Sequence, residues 1–211
     1  MDGRFDGAYT INPGYGSKGF SRKEVHDIVI SVLALSLAMA IIYNRNVLVD
    51  SAAANFAIWM VASIMLVSVS FLLHEFGHKF AAQRYGAWAE YRMFPMGLVA
   101  AVLMSFLGFL FAAPGAVYIN GRFTEKQNGI ISAAGPAVNI VLALVFFIAY
   151  TAMPYGFTGR VFYLFGFFNS FLALFNLLPV PPLDGSKVIR WNMTVWLIMI
   201  AVSAVLAFAL F

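Results

Sequence analysis

The chain has 211 residues, 62% of them hydrophobic and only 10% charged, with a mean hydropathy of +0.86. Soluble domains average about 45–50% apolar and about 25% charged residues, so neither a water-soluble globule nor a disordered chain fits. Thirteen Lys and Arg against nine Asp and Glu leave +4, too small and scattered an excess for a nucleic-acid groove, and the lack of cysteine excludes disulfides, thiolate metal sites and iron–sulfur clusters.

In chain order, residues 1–27 form a polar, Gly-rich N-terminal segment without the apolar stretch of a signal peptide. Residues 28–211 read as a single transmembrane domain. Ser21-Arg22-Lys23-Glu24 has capping-box spacing and predicts a helix start. Apolar runs follow at Ile28–Tyr43, Phe56–Tyr85, Gly129–Tyr150, Val161–Leu178 and Trp191–Phe211, near the roughly 17–25 residues that a membrane crossing takes. Tyr and Trp gather at several of their ends, as membrane-interface belts do. Between the second and third runs lies Met96–Ile119, apolar but broken by Gly97, Gly108 and Pro114-Gly115. The expected fold is an all-α polytopic membrane protein. It has about five transmembrane helices plus one re-entrant or β-hairpin membrane segment, or six spans if Met96–Ile119 crosses.

Charge favours return. If Met96–Ile119 dips and comes back, Arg122, Lys126, Lys187 and Arg190 join Arg4, Lys18, Arg22, Lys23, Lys79, Arg84 and Arg92 on one face. Only Arg45 and Arg160 then lie opposite. The positive-inside rule makes the crowded face, and the N-terminus, cytoplasmic. Non-helical backbone at membrane depth must be shielded by protein or a watery cavity, so the returning segment implies a cavity beside it.

The second run contains His74-Glu75-Phe76-Gly77-His78 on an apolar helix. Residues four apart lie one turn from each other on one face, so both imidazoles reach one metal ion, and Glu75 beside them can take a proton from water. Ionisable groups within a span are costly and by default functional. A catalytic zinc uses three protein ligands, so one more is needed. His26 sits before the first span, beside Asp27, as a juxtamembrane surface residue. Asp184 is the outstanding acid. It ends Pro179-Val180-Pro181-Pro182-Leu183-Asp184, where three prolines unwind the chain after an apolar span. Taken alone, this reads as an ordinary Pro-rich loop closed by an Asp-Gly turn. With Met96–Ile119 returning, Asp184 emerges on the face that bears His78. With Met96–Ile119 crossing, a roughly 30 Å layer would separate them.

His74-Glu75-x-x-His78, Gly135-Pro136-Ala137-Val138-Asn139 and Asn176-x-x-Pro179-x-x-x-x-Asp184-Gly185, in that order, resemble the site-2 protease family of intramembrane zinc metalloproteases. The resemblance runs from the second span through Asp184, in a form with no polar stretch long enough for a PDZ or CBS domain. It implies one zinc ion held by His74, His78 and Asp184, and Glu75 as the catalytic acid/base. It further implies that Asn139 and Asn176 line the site and contact substrate or oxyanion; read alone, each is equally an interhelical hydrogen bond. The expected activity is cleavage of transmembrane helices of membrane-protein substrates within the cell membrane, with the bilayer and these substrates as partners and no nucleic acid. Two other readings stay open. A membrane zinc peptidase of another HExxH family would take a glutamate ligand, Glu90 or Glu125. A metal or ion transporter would use the histidines as a binding site.

Overall fold

The computed structural model describes residues 19–45, 52–110 and 113–209. Most of the N-terminal polar segment (1–18) and the last two residues of the expected fifth span lie outside them. Helix α1 (Arg22–Arg45) starts where the capping motif places it, with Ser21 Oγ accepting from the Glu24 amide at 3.1 Å. The Glu24 carboxylate does not bend back to complete the box; Lys79 holds it. The second expected span is one rod of three pieces: α2 (Ala52–Val67), a π-helical turn (Ser68–Leu72) and α3 (Leu73–Arg84), which carries the histidines. Then come β1 (Trp88–Met93), α4 (Pro95–Ser105), β2 (Gly115–Asn120), α5 (Glu125–Ala152), α6 (Gly156–Asn176), α7 (Gly185–Trp191) and α8 (Met193–Ala209).

Four helical stretches among the described residues are long and apolar enough to cross a membrane: Arg22–Asn44, Phe56–Arg84, Glu125–Ala152 and Gly156–Asn176. The expected fifth, Trp191–Phe211, is here the apolar but shorter α8, of 17 residues. Helix α1 packs on α2, α4 and β1, while α5 lies against α3, α6 and α7, and α6 against α8. An apolar cluster of Val32, Leu35, Met39, Leu66, Val67, Leu98, Ala101 and Phe165 joins α1, α2, α4 and α6. Residues such as Val141, Val145 and Ile148 of α5 stay exposed, as suits a wall that faces lipid.

Met96–Ile119 is not one element. Pro95 opens α4 at a position where its missing N–H costs nothing. A turn with Gly108 at φ 89° follows the helix, and β2 then runs back antiparallel to β1, pairing Tyr91 with Val117 and Trp88 with Asn120. The two ends of the segment therefore meet. Arg92 lies within this hairpin, opposite Ala116, rather than before it.

The polar stretch expected to run to residue 27 joins the core earlier. Glu24 and Asp27 are buried, and Glu24 forms a fully buried ion pair with Lys79 at 2.6 Å. Lys79, counted above as a face charge, is wholly inside the protein and says nothing about orientation. Breaking such a pair from one side costs about 3–5 kcal/mol, because the partner is left charged and unpaired.

The returning hairpin makes a direct prediction. Arg84 and Arg122, both exposed, flank it on either side. Cysteines placed at these two positions, in a chain that has none, should label with an impermeant thiol reagent from the same side of sealed vesicles. Labelling from opposite sides would refute the topology.

Candidate metal centre

Three chain segments meet at one point. His74 and His78 project from α3 one turn apart. Asp184 comes from the start of α7, after α6 has ended and the Pro-rich stretch has turned through bonds from Leu183 N to Val180 O and Ser186 N to Leu183 O. Trp196 of α8 donates its indole N–H to Leu177 O at 2.7 Å, fixing the end of α6 from which this turn departs. Asp184 Oδ2 lies 3.0 Å from His78 Nε2 and 3.5 Å from His74 Nε2, and the two Nε2 atoms are 3.1 Å apart. Tetrahedral zinc with bonds of about 2.0–2.2 Å separates its donors by about 3.3–3.6 Å. The three donors stand within a few tenths of an ångström of that spacing. They are the one group of this kind among the described residues.

Both rings are oriented from behind. His78 Nδ1 donates to Ile131 O on α5 at 2.8 Å. His74 Nδ1 donates to Asn139 Oδ1, also on α5. The assignment follows from the partners: Ile131 O can only accept, and the Asn139 amide nitrogen is committed to Ser70 O and Asn169 Oδ1 at 3.0 and 2.8 Å. With each Nδ1 protonated, each Nε2 presents a lone pair towards the common point, as metal-ligating histidines do. Glycine at residue 135 keeps α5 from covering the two Nε2 atoms. A Cβ there would lie 2.3 Å from His78 Nε2 and 2.7 Å from His74 Nε2.

Glu75 is buried beside the cluster and accepts from the Val117 amide of β2 at 3.1 Å. Asn139 is fully buried, and its amide is spent on His74, Ser70 and Asn169. The interhelical alternative thus describes its bonds, with His74 as one partner. Asn176 is half-buried at the end of α6 and donates to Leu172 O one turn back, at 2.9 Å. His26 is exposed and bonds to Asp27. Glu90 bonds Arg92 and Ser21, and Glu125 is exposed in the first turn of α5, so neither joins the donor cluster.

Two members of the network escaped the sequence reading. Asn169, fully buried, bonds Asn139, Ser70 Oγ and Phe165 O. Its signal was an amide inside an apolar span, two turns before Asn176. Ser70 lies in the π turn, whose carbonyl holds Asn139; no sequence pattern marked it.

The geometry predicts graded metal loss. Asn139→Leu should lower zinc affinity about 10–100-fold by releasing the His74 ring. Gly135→Ala should lower it further, because its methyl occupies the space of the ion. Competition against a chromophoric chelator reads the affinity, and circular dichroism reads the fold. Wild-type affinity in a folded Gly135→Ala protein would show that the ion sits elsewhere.

Comparison with known proteins agrees with the geometry. The family model described as Peptidase family M50 matches residues 62–157 and 153–198. A Methanocaldococcus jannaschii protein named "Putative zinc metalloprotease MJ0611" is 40% identical over 187 residues, 85% of this chain and 90% of that one. "Putative zinc metalloprotease YwhC" of Bacillus subtilis is 31% identical over 148 residues, 60% of this chain and 67% of its own. For "Putative zinc metalloprotease Rip2" of Mycolicibacterium smegmatis the identity is 35% over 134 residues, and the match covers 56% of this chain but only about half, 51%, of that protein. No solved structure matches the chain at comparable significance.

Proposed function

The chain belongs to peptidase family M50, the site-2 protease family, and from that premise we propose that it cleaves transmembrane helices of membrane-protein substrates within the bilayer, at the centre formed by His74, His78 and Asp184. It is a multi-pass membrane metallopeptidase with zinc as its cofactor. The observation that carries the finer reading is the convergence of Asp184 on the two Nε2 atoms from a segment more than a hundred residues away. The charge bias adds that the N-terminus is cytoplasmic.

His74, His78 and Asp184 hold the ion in this reading, and Asn139 and Ile131 O keep the two rings aimed. Zinc bound there supplies Lewis acidity towards water and the scissile carbonyl. Glu75, one residue from His74, takes a proton from the attacking water and returns it to the leaving amide nitrogen. Asn139 serves as a positioning residue for His74, since its amide has no group left for an oxyanion. Asn176 keeps the role of contacting substrate. A substrate helix must unwind before its carbonyls are free. The outer edge of β2 receives the extended stretch by strand addition: Val117 N points away from β1, to Glu75, and a cavity of about 450 Å³ runs along Gly115–Ile119.

Two variants separate holding the ion from doing the chemistry. Asp184→Ala should lose both zinc and activity, since two histidines leave the ion under-coordinated. Glu75→Gln should keep one zinc per chain while cleavage of a single-span substrate falls by at least about 10²–10⁴-fold. Metal analysis and mass spectrometry of the products read both. Cleavage at near wild-type rate by Glu75→Gln would sink the protease mechanism, and full zinc affinity in Asp184→Ala would dismiss the third ligand.

A further inference from the structure

Glu75 and Lys79 lie one turn apart on α3, and each reaches the two-stranded sheet at the same rung. Glu75 Oε2 accepts from Val117 N on the outer edge of β2. Lys79 Nζ donates to both oxygens of Glu24, at 2.6 and 2.5 Å. Glu24 Oε1 in turn accepts from Tyr91 N, at 2.9 Å, on the outer edge of β1. Tyr91 and Val117 are opposite each other in the sheet. Both amides point away from the partner strand, as at a non-hydrogen-bonded pair. Together with the cross-strand pairing of Tyr91 and Val117, these bonds close a ring: α3, Glu24, Tyr91, Val117 and back to α3.

The ring is built rather than incidental. Glu24, Lys79 and Tyr91 are each fully buried. The third donor of Lys79 goes to Gly19 O at 3.3 Å, and the Phe20 ring covers the ammonium with its centroid 4.0 Å away. Tyr91 Oη donates to Ser31 Oγ on α1 at 2.9 Å and lies 3.1 Å from Pro114 O, next to the start of β2. Lys79 uses all three of its donors, and the bonds among Glu24, Lys79, Tyr91 and Ser31 tie α1, α3 and the hairpin together.

We infer that Glu24 and Lys79 are positioning residues that set the cleavage register: by gripping the Tyr91–Val117 rung from the β1 side, they fix which residue of a β2-paired substrate strand faces Glu75. This rests on strand addition to β2 in the proposed function. The catalytic carboxylate holds one edge of the rung and the ion pair holds the other, so the hairpin cannot slide along α3 without breaking one of them. Strand pairings slip in steps of two when side-chain faces are to be kept. Loss of the grip should thus spread cleavage to bonds two residues either side of the wild-type one.

The test uses Glu24→Met together with Lys79→Met, which removes both charges at similar side-chain length so that neither is left buried alone. The full-length protein is loaded with zinc and given a single-span helical peptide with a glycine-weakened centre. Expected are wild-type zinc content, products cut at several bonds in two-residue steps, a kcat/KM lowered at least tenfold, and faster hydrogen exchange at the Val117 amide. A single cut at the wild-type bond with wild-type kcat/KM overturns the inference. So does loss of zinc with all activity, which would assign the pair to the metal centre. If the wild-type protein itself leaves the peptide uncut, the proteolytic reading fails instead. Val117 exchange then still decides whether the pair holds the rung, and an unchanged rate refutes it.

Discussion

The close approach of α3 and α5 is the contact on which the centre depends. A Cβ at Gly77 would lie 2.8 Å from Ala134 O, so the two helices meet backbone to backbone. At that range Ile131 O reaches His78 and the Asn139 side chain reaches His74. Glycine-lined contacts are the usual means by which membrane helices come this near. Here the gain is the aim of two imidazoles rather than dispersion alone. A bulkier residue at either glycine would push the rings off their acceptors before it disturbed any apolar packing.

The buried amides around the centre find their partners within the protein. Asn139 and Asn169 bond each other, and both are fastened to Ser70, one by its carbonyl and one by its hydroxyl. Single interhelical hydrogen bonds in bilayers are worth only about 0.6 kcal/mol on average. Their effect here is geometric: α3, α5 and α6 are keyed at one level, and Asp184 is delivered by the turn that follows α6.

The residues of the candidate donor cluster were legible because each carries its own local sign: HExxH spacing on an apolar helix, and an acid after three prolines. The hairpin was legible only as one of two alternatives for that segment. Met96–Ile119 is apolar throughout, and hydropathy does not distinguish a helix such as Pro95–Ser105 from the strand Gly115–Asn120 that follows it. The charge bias nevertheless indicated return, since orientation depends on what flanks a segment rather than on its shape. Strand β1 was missed because its partner makes it a strand; Trp88–Met93 shows no alternation of burial. Glu24 and Lys79 lie 55 residues apart and each looks like an ordinary interfacial charge. Only tertiary structure shows that they neutralise each other.

The π turn at Ser68–Leu72 leaves a trace in the numbering of the rod. Buried positions fall at Ser63, Leu66 and Val67 before it, at Ser70 within it, and after it at His74, Glu75, His78, Lys79 and Ala82. A period of 3.6 carried on from the first set arrives about one residue early at each later position. The turn absorbs that extra residue, so one side of the rod faces the bundle throughout. A homologue shorter by one residue at this point would align with a gap yet place its histidines where these stand.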